Sequence, residues 1–105
     1  MNSFALHPEA QADLEELADY IAERNIDAAH RVVNDIFAAF GMLSQFPQSG
    51  HRRPDLSARP LRFLRVRDYL IAYAPDENPI WILGVLHGRR HPSLMASILR
   101  RREQT

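Results

Sequence analysis

The sequence predicts an α+β domain. It reads as an N-terminal strand and an α-helical hairpin packed on a small antiparallel sheet, closed by a short C-terminal helix. Three observations lead there. Apolar residues recur at helical spacing through the first half of the chain. Short alternating runs joined by tight turns fill the second half. The last of these runs, IWILGVLH, is apolar on both faces and belongs inside the sheet. At 105 residues the chain is a single domain, 1–105, near the lower end of sizes that bury a self-sufficient core.

The elements follow in order. Ser3–His7 (SFALH) alternates apolar and polar residues and reads as a short strand. Pro8 suits the first turn of a helix, where its missing N–H costs little. Glu9 and Asp13 lie near the positive end of that helix. Ala10, Leu14, Leu17, Ala18 and Ile21 form an apolar stripe, with Glu15, Glu16, Asp19 and Glu23 on the outer face. Arg24–Asp27 breaks the pattern, and Asp27 is expected to cap the next helix. Ala29, Val33, Ile36, Phe40 and Leu43 make the second stripe, which Pro47 closes. Pro47–Pro60 carries three prolines, a glycine and three arginines with no periodicity, so it reads as a loop that is mobile or functional. Strands are expected at Leu61–Arg67, Tyr69–Ala74 and Ile80–His87, with turns at Arg67–Asp68 and Pro75–Pro79. After Pro92, Leu94, Met95, Ile98 and Leu99 recur at helical spacing, and Arg100, Arg101 and Arg102 sit at the negative end of that helix.

Net charge is zero but unevenly distributed. Residues 1–50 hold Arg24 and Arg31 against eight acids, net −6, and residues 51–105 hold eleven arginines against five acids, net +6. Every basic residue besides histidine is arginine, which forks onto carboxylates and phosphates as lysine cannot. Such a polarised surface suits an anionic partner. The plainer reading is mutual neutralisation within the fold, with Arg62, Arg65 and Arg67 paired to Glu15, Glu16 or Asp19. The absence of cysteine excludes disulfide and thiolate chemistry and fits a cytoplasmic protein. The N-terminus has neither the basic start nor the long apolar run of a signal peptide or membrane anchor.

Candidate chemistry is sparse. His87 and His91 are four residues apart, but the intervening glycine and following proline deny a helix that would align them, and no cysteine or nearby acid completes a metal set. No metal or other cofactor is expected. The serines sit in no nucleophile elbow, and the four glycines form no phosphate loop. RNA cleavage through the 2′-hydroxyl needs a base, an acid and cations around phosphorus. His87 could act as acid, Arg62, Arg65 and Arg89 as phosphate ligands, and Tyr69 or Tyr73 as a stacking platform. No residue stands out as the base. Alternatively, His87 ends a buried strand and bonds to backbone.

Four stretches carry a resemblance: FALHPEAQADLEELADYIAE, LSQFPQSGHRRPDL, LRFLRVRDYLIAYAP and ILGVLHGRRHP. In this order they resemble the RelE/ParE-family toxins of type II toxin–antitoxin systems, over Phe4 to about Pro92. The resemblance implies two helices packed on a small twisted antiparallel sheet, often with a C-terminal helix. RelE-like members cut mRNA in the ribosome; ParE-like members poison DNA gyrase. YLIAY and VLHGRR are more similar to the ParE side. Where many members carry an arginine two residues before the VLH leucine, this chain has Gly84, which removes one phosphate ligand from the nuclease reading. Where many carry an aspartate after G-x-R, it has His91, so Arg90 lacks that local salt bridge.

The expected function is therefore a ParE-like, gyrase-inhibiting toxin neutralised by a cognate antitoxin. Arg89, Arg90, His91, Arg100, Arg101 and Arg102 are expected to contact the target. Arg62, Arg65, Arg67 and Tyr69 are expected to meet an acidic C-terminal antitoxin segment that folds on binding. DNA is then a partner of the antitoxin, not of this chain, and no membrane is involved. The alternatives are a ribosome-dependent mRNA endonuclease using His87, Arg62, Arg65 and Tyr73, or an inactive interaction module.

Overall fold

The computed structural model describes residues 3–104. They form, in chain order, β1 (Phe4–Leu6), α1 (Pro8–Ala22), α2 (Ile26–Gln45), β2 (His51–Arg52), β3 (Arg62–Val66), β4 (Tyr69–Ala74), β5 (Ile80–His87) and α3 (Pro92–Glu103). The architecture is α+β, as the sequence predicts. The sheet runs β1-β5-β4-β3-β2, so β5 is interior, as its uniformly apolar sequence requires.

The sheet is mixed rather than wholly antiparallel. Tight turns hold β3, β4 and β5 antiparallel, but β1 has no turn to β5 and pairs with it in parallel, Phe4 opposite Ile80 and Leu6 opposite Ile82. That pairing ends early: β5 continues to His87, and among the described residues no strand lies beside its outer edge from Leu83 onward. A bulge in β5 shifts the register between Ala72 and Tyr73: Ala72 lies opposite Gly84 and Tyr73 opposite Ile82, so Leu83 is the extra residue.

Two apolar layers enclose the sheet. On one face Ala10, Leu14 and Leu17 of α1 and Val32, Ile36, Phe40 and Leu43 of α2 pack on Ile71, Tyr73, Ile82 and Val85. On the other, Met95 and Leu99 of α3 join Leu56, Leu61, Phe63, Leu83 and Leu86. The α2 stripe passes through Val32, with the expected Val33 only partly buried. On α3, Leu94 is exposed and the buried side is Met95 and Leu99.

Two local expectations need correction. Asn25, not Asp27, caps α2: its side-chain oxygen accepts the Ala28 N–H at 3.0 Å from an extended backbone, while Asp27 lies in the first turn. The Pro47–Pro60 segment is not a free loop. β2 pairs antiparallel with β3, Leu56 is buried, and the Tyr73 hydroxyl donates to the Pro47 carbonyl and accepts the Gly50 N–H, both at 2.8 Å. Gly50 permits this approach, because a Cβ there would lie 2.6 Å from the Tyr73 hydroxyl and 2.8 Å from the Phe63 carbonyl. At the β3–β4 turn, Arg67 takes φ 55°, a conformation that disfavours side-chain-bearing residues.

These contacts set two measurable expectations. Asn25→Ala should cost about 0.5–2 kcal/mol in urea unfolding, and Asp27→Ala should cost less, since it offers only its favourable charge in the first turn. Tyr73→Phe should cost about 1–3 kcal/mol by leaving two backbone groups unsatisfied. Burial pushes the Tyr73 hydroxyl above its ordinary value, against the Gly50 hydrogen bond and Arg62, which lower it. The unfolded chain therefore loses this proton first, and stability falls as pH rises through about 10. Tyr73→Phe should remove part of that alkaline loss in denaturation midpoints measured against pH.

Candidate functional site

The arginine-rich second half separates into structurally engaged and accessible groups. Arg62, on β3, donates through Nη1 to the Gly50 carbonyl at 2.7 Å and to the Gln48 carbonyl at 3.4 Å, pinning the start of the β2 segment. Arg65 donates from Nε to the Arg67 carbonyl at 3.0 Å. Arg67 reaches the other layer, its Nε 2.8 Å from Asp35 on α2. Among the described residues no ion pair joins these three arginines to Glu15, Glu16 or Asp19. The halves do neutralise each other in part, but through Asp35 and Asp13.

Asp13 holds the most enclosed of the described ion pairs. Its carboxylate takes both arms of Arg102, Nη1 to Oδ2 at 2.7 Å and Nη2 to Oδ1 at 2.9 Å, with the side chains only 14% and 10% exposed. Asp13 Oδ2 also accepts the Val85 N–H at 2.9 Å, and Arg102 Nη1 also donates to the Leu83 carbonyl at 3.2 Å. The guanidinium lies over Gly84, where a Cβ would come within 2.5 Å of Nη1. Breaking such a pair costs about 3–5 kcal/mol when it is fully buried, because a charge is left without its partner; the slight exposure here lowers that figure.

This geometry corrects the expectation that Arg102 contacts the target beside Arg100 and Arg101: its side chain is enclosed in the pair with Asp13. Met95, Leu99 and Arg102 are spaced four and three residues apart and share the inner face of α3. Arg100 and Arg101 are exposed. The same spacing was readable on α1, where Asp13 lies three residues from Ala10 and four from Leu17 on the buried side. A carboxylate and an arginine, each on the apolar side of its helix, were the signal for this pair. Reading Asp13 only as an acid near a helix start missed it.

The nuclease candidates do not assemble. Tyr73 is fully buried with both hydroxyl bonds engaged, so its ring offers no stacking surface. Arg62 is tied to backbone carbonyls. His87 accepts the Arg89 N–H on Nδ1 at 3.1 Å and meets the Tyr69 ring edge-on, centroids 5.3 Å apart. Burial raises the Tyr69 hydroxyl above its ordinary value, helped by Asp68 and Tyr20. His91 caps α3: Nδ1 accepts the Ser93 N–H at 3.1 Å and lies 2.8 Å from the Ser93 hydroxyl. His7 does the same for α1, its Nδ1 accepting the Glu9 N–H at 2.9 Å, with Pro next in each case.

Two cavities flank the Asp13 carboxylate. The larger, about 570 Å³, lies between the N-terminal part of α1 and α3, with Glu9, Glu16, Arg90 and Arg101 on its walls. The smaller, about 270 Å³, lies among Glu16, Tyr20, Tyr69, His87 and Arg90. Arg90 and Arg101, eleven residues apart, therefore line one space, and Arg89, Arg90, Arg100 and Arg101 are all exposed. Among the described residues, His, Asp and Glu form no group of three or more that could hold a metal ion. No described helix is long and apolar enough to cross a membrane.

A family model described as the ParE toxin of the type II toxin–antitoxin system parDE matches residues 4–92. No curated protein matches the chain.

Proposed function

The chain belongs to the ParE toxin family of type II toxin–antitoxin systems, and from that premise we propose that it inhibits DNA gyrase and is held in check by a cognate antitoxin. The observation that supports this reading is the convergence of the 89–91 turn and the α3 terminus, whose Arg90 and Arg101 share one cavity wall while Arg89 and Arg100 are exposed. These four arginines are the target-contacting set, with His91 shaping the turn and Arg102 acting only through α3. The nuclease reading loses Tyr73 and Arg62 to structural roles.

The antitoxin partner is an acidic, flexible C-terminal segment that orders on binding. Arg65 and Tyr69 at the β3–β4 turn are its proposed contacts, beside Arg62 and the Asp35-paired Arg67. Opposite charge at such a surface acts mainly on association rate and salt dependence.

The test is a supercoiling and DNA-cleavage assay with purified gyrase. Replacing Arg89, Arg90, Arg100 and Arg101 by alanine should weaken inhibition by roughly tenfold or more while leaving the unfolding curve unchanged. His87→Gln should leave inhibition largely intact. If the protein leaves gyrase untouched but cuts mRNA in a translation reaction, and His87→Gln abolishes the cutting, the reading is wrong.

A further inference from the structure

We propose that Asp13, Gly84 and Arg102 form a latch with two exclusive states: α3 docked and the β5 edge sealed, or α3 lifted and the edge open. β1 covers β5 only through Ile82, and beyond it Leu83 and Val85 would present a carbonyl and an N–H to any strand alongside. Both groups are taken by side chains from opposite layers, the Val85 N–H by Asp13 and the Leu83 carbonyl by Arg102. The two side chains then grip each other through both oxygens and both terminal nitrogens. Together they occupy the place of a neighbouring strand, supplying one acceptor and one donor.

The latch is local and α3 is lightly held, which makes it releasable. Besides Arg102, the helix is fastened by buried Met95 and Leu99, by partly buried Ile98 and by Glu103, which accepts from the Ser57 hydroxyl at 2.9 Å. It joins β5 through the short turn Gly88–His91. Open space adjoins the ion pair, because Asp13 lines both cavities and Arg102 the larger. Arg102 itself lines the larger cavity, and its seat exists only because residue 84 has no side chain. Lifting Arg102 frees the Leu83 carbonyl and leaves the enclosed Asp13 carboxylate without its cation, which loosens its hold on the Val85 N–H, so helix release leads to edge opening.

Residue-resolved amide hydrogen exchange on the full chain tests this. Arg102→Ala should reduce protection at Val85 and along Ile98–Glu103 by roughly tenfold or more, with Phe63 and Ile71 in the core strands unchanged. Gly84→Ala changes no charge and should give the same pattern, because its methyl group occupies the guanidinium's seat. Should either variant fail to fold, Arg102→Lys, which keeps the charge but cannot fork, should show the same pattern more weakly. Unchanged exchange at Val85 and α3 would overturn the proposal. So would a loss of protection spread equally to Phe63 and Ile71, since α3 would then unfold only with the whole domain.

Discussion

An interior strand that outruns its neighbour has to satisfy its last backbone groups by some other means. β5 faces that constraint, and the arrangement of the chain's two halves follows from it. β1 is only three residues long because the chain must turn at His7 to begin α1. α1 then runs past the open part of β5, which brings Asp13 to the Val85 N–H. The carboxylate, drawn out of water, needs a cation, and α3 delivers one from the far face of the sheet. The two helical layers, separated by the sheet over most of their extent, are tied together at this edge.

The uneven charge of the sequence takes on a different meaning in the fold. The described cross-half ion pairs, Arg67 with Asp35 and Arg102 with Asp13, fasten the second half to the two helices of the first. The Arg67 pair is half exposed and by its class contributes at most about 1 kcal/mol. The Arg102 pair is enclosed and reinforced by two backbone bonds. Arg62 and Arg65 hold backbone carbonyls rather than carboxylates. The basic surface open to a partner is thus smaller than a count of eleven arginines suggests, and much of it lies at the 89–90 turn and the α3 terminus.

Much of the fold was legible because the responsible signals are local and repeated. The Leu14–Leu17 and Ile36–Phe40–Leu43 spacings marked the helical faces, and the two-sided apolarity of Ile80–Leu86 marked an interior strand. What was not legible depended on single contacts between distant residues. β2 is two residues long and carries no alternation to read; it exists because Tyr73 and Arg62 gather the chain at Pro47–Gly50. The parallel pairing of β1 has no turn to announce it. Asn25 and Asp27 are both good capping residues, and only the extended backbone at Asn25 separates them. Of the expected site residues, Arg89, Arg90, Arg100 and Arg101 are exposed, whereas Tyr73 and Arg102 face inward. A buried tyrosine and a surface one look the same in β4, where Ile71, Ala72 and Tyr73 are buried in succession rather than in alternation.

Gly84 ties the middle of the chain to its end. A side chain at this position and an arginine folded inward from position 102 contend for the same space, since even a methyl carbon would approach Nη1 to 2.5 Å. A larger residue at 84 would displace the end of Arg102 from its seat, and with it the bonds to Asp13 and to the Leu83 carbonyl, so one methyl group on the strand is felt at the far end of the chain.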